Sequence, residues 1–144
     1  MSISAGLHSN DATPTKDTPP LILIAEDDAG SREVLATFVR TLGHAVLEAA
    51  DGDEALRLLA ENSGVALILS DIRMPGTSGI DLLDAVRDRR HAPRVVLVTG
   101  DPASIDEAIA RQAIAVVKPY DFDILERVIA ESLGKSPTPG SRLQ

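Results

Sequence analysis

The chain has 144 residues, about one domain's worth, and 44% of them are apolar, so a single buried core is expected and global disorder is not. It contains no cysteine, which excludes a disulfide framework and a thiolate metal site. Fourteen Lys and Arg against 22 Asp and Glu give a net charge of −8, no apolar run nears the roughly 18 residues of a membrane span, and residues 1–6 lack the basic-then-apolar start of a signal peptide; a cytoplasmic protein with no direct nucleic-acid or membrane partner is expected.

Residues 1–20 are rich in Ser, Thr, Asp and Pro, show no periodicity, and read as a flexible N-terminal arm. The continuous apolar run 21–25 predicts a strand buried on both faces, ending at Glu26-Asp27-Asp28. Val34, Leu35, Phe38, Val39 and Leu42 then mark one face of a helix closed by Gly43. Residues 45–47 predict a short strand, and Asp51-Gly52-Asp53 turns into a helix faced by Ala55, Leu58 and Leu59. A buried strand over 65–69 ends at Ser70-Asp71; Met74-Pro75-Gly76 breaks the chain, and Ile80, Leu83 and Val86 mark a third helix. Residues 95–98 predict a strand ending at Thr99-Gly100, and Ser104 with Glu107 predicts a capping box for a short fourth helix. Residues 114–117 predict a fifth strand ending at Lys118-Pro119, and Leu125, Val128, Ile129 and Leu133 face a last helix stopped by Gly134. Residues 134–144 read as a flexible tail.

Regular strand–helix alternation predicts an α/β fold: a doubly wound five-stranded parallel sheet with right-handed crossovers and helices on both faces. At this size the flavodoxin-like strand order 2-1-3-4-5 is favoured, with a single domain over residues 21–133. In such sheets ligands bind at the carboxyl ends of the strands, here between the first and third. The expected strand ends carry Glu26, Asp27 and Asp28, then Asp71, Thr99 and Lys118. Glu48, near the end of the second strand, reads as solvated surface.

Carboxylates crowded at one edge need a cation among them. All-oxygen ligands suit a hard ion, and without a twelve-residue calcium loop Mg²⁺ is favoured. Mg²⁺ commonly partners phosphate, and a carboxylate there can act as a nucleophile that becomes an aspartyl phosphate. Residues 21–133 hold eleven cations and twenty anions, and Lys118 is the only lysine among them. A compact ammonium and the Thr99 hydroxyl both suit phosphoryl oxygens. Taken singly, each of these residues is equally a turn, a loop or a strand end; their placement at one edge points to chemistry. The histidines His8, His44 and His91 have no second ligand at metal spacing and read as surface residues.

At these residues the chain resembles the receiver domain of bacterial two-component response regulators. The resemblance covers residues 21–133 and rests on Ile22-Leu23-Ile24-Ala25-Glu26-Asp27-Asp28, Leu42-Gly43, Asp51-Gly52-Asp53-Glu54-Ala55-Leu56, Ser70-Asp71-Ile72-Arg73-Met74-Pro75-Gly76, Val98-Thr99-Gly100 and Val117-Lys118-Pro119-Tyr120. It implies that Asp71 is the phosphoacceptor. It implies Mg²⁺ held by Asp27, Asp71 and the backbone carbonyl of Arg73, with Glu26 acting through water. Thr99 is then the switch hydroxyl, Lys118 the phosphate-pairing lysine, and the Lys118-Pro119 bond cis. Asp28 would simply begin the loop into the first helix. The implied partners are a histidine kinase or histidine phosphotransfer protein and a downstream protein target. The protein would assist its own phosphorylation and dephosphorylation without being an enzyme in the turnover sense.

Two positions depart from the family pattern. Ala115 stands where the family often has an aromatic that swings inward on activation, so the segment 100–104 and the fourth helix are expected to carry the change. Thr77-Ser78 replaces a bulky residue and an acid that are frequent beside the phosphoacceptor. Tyr120, after the proline, reads as a packing residue. An aspartyl-phosphate phosphatase would need an Asp where Arg73 stands, and a flavin carrier would need a phosphate loop where three acids stand. A degenerate receiver acting only as a phosphorylation-independent interaction module is the remaining alternative. Only residues 135–144 follow Gly134, so signalling is expected to pass through a protein partner or a relay.

Overall fold

Five apolar runs become five parallel strands because each alternates its side chains between two helix-covered faces. The computed structural model describes residues 18–134; most of the expected arm, including His8, and the tail from residue 135 lie outside the described residues. In chain order the elements are β1 (Leu21–Ala25), α1 (Ala29–Thr41), β2 (Ala45–Ala49), α2 (Gly52–Glu61), β3 (Val65–Asp71), α3 (Gly79–Arg87), β4 (Arg94–Thr99), α4 (Pro102–Ala110), β5 (Ile114–Val117) and α5 (Phe122–Ser132). The sheet order is β2-β1-β3-β4-β5, the expected 2-1-3-4-5 arrangement. No helix among the described residues is long and apolar enough to cross a membrane.

The alternation sorts the core. Ile22, Ile24, Leu67, Leu69, Val96, Val98 and Val116 face α1 and α5, where Leu35, Val39, Leu125 and Ile129 meet them. Leu23, Ala25 and Ile68 point the other way, onto Ala55 and Leu59 of α2 and Leu82 and Val86 of α3. Leu97, Ile80, Leu83 and Ala108 of α4 complete that second layer, with Ala115 packed against them. Each fully buried Leu or Ile contributes on the order of 1.5–3 kcal/mol over exposure.

Three local expectations are corrected. The fourth helix starts at Pro102, with Asp101 as N-cap, so Ser104 lies inside the first turn and makes no capping box with Glu107. Asp followed by Pro is itself a helix start: a carboxylate for the free amides, then a residue with no amide to satisfy. The second strand runs on to Ala49, because Glu48 and Ala49 pair with Ile24 and Ala25 of β1; the Glu48 side chain also meets Arg40 at 3.1 Å and Arg32 at 3.6 Å of α1. Val34 does not join the inner face of α1; it is 53% exposed, and Leu35 and Ala36 are buried instead. The other helix starts are capped by Asp28 and Asp51, where the sequence placed helix starts, and by Ser78 and Asp121, which it did not single out.

Two glycines set how the loop after Asp71 folds back. A Cβ on Gly79 would meet the Asp71 carbonyl oxygen at 2.3 Å, and one on Gly52 would meet the Thr77 carbonyl oxygen at 2.0 Å. Both contacts are with backbone, which has no rotamer to yield. Gly79→Ala should therefore lower unfolding stability in urea by about 1–3 kcal/mol. Gly64→Ala, with nothing within 4 Å of the added carbon, should stay within about 0.5 kcal/mol of wild type. Equal effects of the two substitutions would disprove the close-approach account.

Candidate functional site

The site lies where the strand order reverses, at the carboxyl ends of β1 and β3. Register brings the residues level: Ala25 pairs with Ser70, Asp71 with Val98, and Thr99 with Val117. The residue that follows β1 and the one that follows β5 are then site residues, Glu26 and Lys118. The ladder continues one step into both, through Glu26 N–H to Ala49 O at 3.1 Å and Lys118 N–H to Thr99 O at 2.9 Å.

Lys118 reaches across the end of β4 to both neighbours. Its Nζ donates to Glu26 Oε1 at 2.5 Å and to Asp71 Oδ2 at 3.1 Å. The other Glu26 oxygen accepts Asp28 N–H at 3.0 Å. Glu26 is 1% exposed, and these partners satisfy both oxygens of its buried carboxyl group. Burial works to lower the Lys118 pKa; the hydrogen bonds and charges of Glu26 and Asp71 overcome it and hold the ammonium above its ordinary value. The Lys118-Pro119 bond is cis, as the resemblance implies. Tyr120 packs against the α1–α5 side of the core, and burial pushes its phenol up to about 12.

Glu26, Asp27 and Asp71 each offer a carboxylate oxygen, and these atoms all lie within 4.8 Å of one another. Asp27 is exposed and Asp71 intermediate, so the cluster opens to solvent on one side. Three hard oxygen donors with one open side fit Mg²⁺ that keeps part of its water shell. Asp28 takes no part: its carboxylate caps α1 through Ser31 N–H at 2.8 Å, and that bond holds its pKa below the ordinary carboxylate value.

Thr99 is 2% exposed, and its Oγ1 accepts the Asp101 N–H at 3.0 Å. Arg73 lies two residues beyond Asp71 with its side chain 67% exposed, directed at Asp101 rather than at the carboxylates. Thr77-Ser78 proves to be an anchor. Thr77 Oγ1 donates to Asp53 of α2, and Ser78 caps α3 in a reciprocal box with Asp81. The loop after Asp71 is thus tied to two helices.

Sequence reasoning missed three residues here. Arg32 Nη1 donates to the Glu26 carbonyl at 2.8 Å. Asp101 and Ser104 bind the Arg73 side chain. The Asp101-Pro102 start signal could have found Asp101; nothing local marks the other two.

With this geometry in hand, the comparisons define the class. Residues 22–130 match the family model of the response regulator receiver domain, and the chain belongs to that family. It is 38% identical over 120 residues to the transcriptional regulatory protein PdtaR of Mycobacterium tuberculosis, covering 78% of this chain and 58% of that protein. It is 34% identical to the response regulator protein FleR of Pseudomonas aeruginosa, over 81% of this chain and 25% of that one. The chain therefore spans less than two thirds of the length of these relatives. Among solved structures it resembles a putative response regulator from Chloroflexus aurantiacus, with TM-score 0.74 and 26% identity over 81% of this chain and 99% of that one. It also resembles the Thermotoga maritima response regulator TrrA in complex with Mg²⁺ and BeF, with TM-score 0.72 and 27% identity over 79% and 99% of the two chains.

The buried pair carries a stability prediction. Lys118→Met keeps the stem but leaves Glu26 and Asp71 without their cation, and should cost about 2 kcal/mol in metal-free buffer at neutral pH. Because the folded-state pKa is raised, the lysine's contribution is complete below its ordinary value of 10.5 and is lost only as pH rises beyond it. A stability in urea equal to wild type at neutral pH would show that the pairing is energetically idle.

Proposed function

We propose that this receiver is a phosphoacceptor switch of a two-component or phosphorelay system in which Asp71 receives the phosphoryl group. The observation that carries this reading is the Lys118 ammonium shared between Asp71 and buried Glu26, beside a third carboxylate, at the switch point of the sheet. An Asp71 carboxylate oxygen attacks the phosphorus of a phosphohistidine on a histidine kinase or phosphotransfer protein. The phosphorus–nitrogen bond breaks, its electron pair stays on the imidazole nitrogen, and an acyl phosphate remains on Asp71. Asp27, Asp71 and the Arg73 carbonyl would hold Mg²⁺, with Glu26 acting through water; the ion supplies charge neutralisation at the phosphoryl oxygens. Lys118 pairs with the transferred group and Thr99 offers its hydroxyl, so positioning and electrostatics do most of the work. The protein assists this transfer and its reversal by water without turning over. Its output is a change in binding to a downstream protein through the β4–α4 region.

Intact mass after incubation with acetyl phosphate and Mg²⁺ tests the assignment. Wild type should gain one phosphoryl group, Asp71→Asn none, and Asp27→Ala none. Labelling of Asp71→Asn at the wild-type level would refute Asp71. A wild type that never labels would instead favour the interaction-module reading.

Lys118→Arg keeps the charge but replaces a point donor on a flexible stem with a planar fork. It should still label, at a rate reduced by about tenfold, and should lose the phosphorylation-dependent change in partner binding. A wild-type switch response in that variant would count against a specific role for the ammonium.

A further inference from the structure

One polar cluster at the same edge is left unused by the phosphoryl chemistry. Arg73 Nε donates to Asp101 Oδ2 at 2.9 Å and to Ser104 Oγ at 3.0 Å. Ser104 Oγ donates to that same carboxylate oxygen at 3.2 Å. The other oxygen, Asp101 Oδ1, accepts Ala103 N–H at 3.1 Å, and Asp101 donates its own N–H to Thr99 Oγ1 at 3.0 Å. Asp101 is the N-cap of α4, so one residue ties together the loop after β3, the end of β4 and the first turn of α4.

An exposed ion pair alone would be weak and screened. Here the guanidinium also meets Ser104, which is 0% exposed and sits inside the helix. Moving Arg73 therefore strips a buried hydroxyl as well as an exposed carboxylate of a partner. The main chain of Arg73 belongs to the loop that follows Asp71 and is anchored on its far side by Thr77 and Ser78. The Arg73 side chain thus links the loop beside Asp71 to Asp101 and Ser104. Thr99 pulls on the same point, because a hydroxyl drawn toward Asp71 leaves the Asp101 N–H. Residue 115 is Ala and has no χ1 to rotate, so β5 offers no side-chain lever at this position.

We propose that Arg73 is a positioning residue whose side chain, through Asp101 and Ser104, transmits the state of Asp71 to the first turn of α4. This rests on the phosphoacceptor reading above. Phosphorylation reorganises the Arg73–Asp101–Ser104 cluster, and the face of α4 presented to a partner changes with it.

The test is residue-resolved amide hydrogen exchange on the full chain with Mg²⁺, with and without beryllofluoride as phosphoryl mimic. Fluorine NMR of the bound mimic reports occupancy of Asp71 independently. Arg73→Ala removes the link; Asp101→Ser keeps an oxygen to cap α4 but removes the carboxylate; Arg73→Lys restores charge without the planar donor. In wild type the mimic should change exchange at residues 101–108 by about three- to thirtyfold, the range expected of coupled sites. In Asp101→Ser the change should fall below about twofold while the bound-fluoride signal persists; in Arg73→Ala the change, compared at equal bound-fluoride signal, should fall likewise, with partial recovery in Arg73→Lys. Without the mimic, Arg73→Ala should exchange faster than wild type at residues 103–105. Variants that keep the wild-type response with the mimic bound, or an Arg73→Ala that leaves residues 103–105 unchanged, overturn the proposal. A wild type with no bound-fluoride signal overturns the phosphoacceptor reading instead, and the mimic-free arm still decides whether Arg73 holds α4.

Discussion

The carboxyl edge of this sheet is organised by one ammonium. Lys118 stands 92 residues from Glu26 and 47 from Asp71, and its single charge makes both carboxylates tolerable at close range. To do so it must cross from β5 over the end of β4 to β3 and β1. A flexible four-carbon stem can make that crossing. The sheet order and the register of the strand ends are both conditions for this contact. The Glu26 main chain is held as well as its side chain, by Arg32 and by Ala49. The anionic partner is thus fixed, and the cation is the movable member.

The fold was legible because the buried strands are uninterrupted apolar runs that stop at polar residues. Val65 to Leu69 is such a run, and it stops at the residues that carry the chemistry. The helix start at Asp51 was legible because its cap is local, whereas the equally local Ser78–Asp81 box went unread because Thr77-Ser78 stood out only as a departure from the family pattern. What else escaped depends on distant partners. Glu48 is in strand because its backbone pairs with Ile24 of β1, and Val34 faces outward because its neighbours Leu35 and Ala36 take the sheet side. Periodicity marks a stripe about a hundred degrees wide and leaves its edge residues undecided.

The candidate site was legible for the same reason as the strands: parallel topology forces every strand's carboxyl end to one edge, so reading the residue after each run lists the site. That rule finds Glu26, Asp27, Asp71, Thr99 and Lys118 together. It does not find Arg73's side-chain partners, since Asp101 and Ser104 lie 28 and 31 residues away and belong to a helix start rather than a strand end. Ser104 resembled a cap because a Ser followed three residues later by Glu is a common start signal. The competing signal, Asp101 before Pro102, prevailed because proline at the first helical position loses no hydrogen bond.

Charge bookkeeping links the two halves of the site. Glu26, Asp27 and Asp71 carry three negative charges and Lys118 one positive, so the cluster is left with two uncompensated charges, the deficit a divalent ion would fill. A phosphoryl group on Asp71 replaces a carboxylate anion with a more highly charged group placed farther from Glu26. The cation that must follow that charge is Lys118, because Glu26 is fixed from its main chain and the stem of Lys118 is free to swing. The other donor within the edge is Thr99, whose Oγ1 accepts the Asp101 N–H at 3.0 Å and donates to the Asp101 carbonyl at 3.5 Å. Recruiting Lys118 costs a contact only within the site, whereas recruiting Thr99 costs a contact at the cap of α4. On the proposed reading the electrostatic demand would be met by the lysine, and the structural consequence would converge on Asp101, which both Arg73 and Thr99 hold, separating stabilisation of the phosphoryl group from its report to α4.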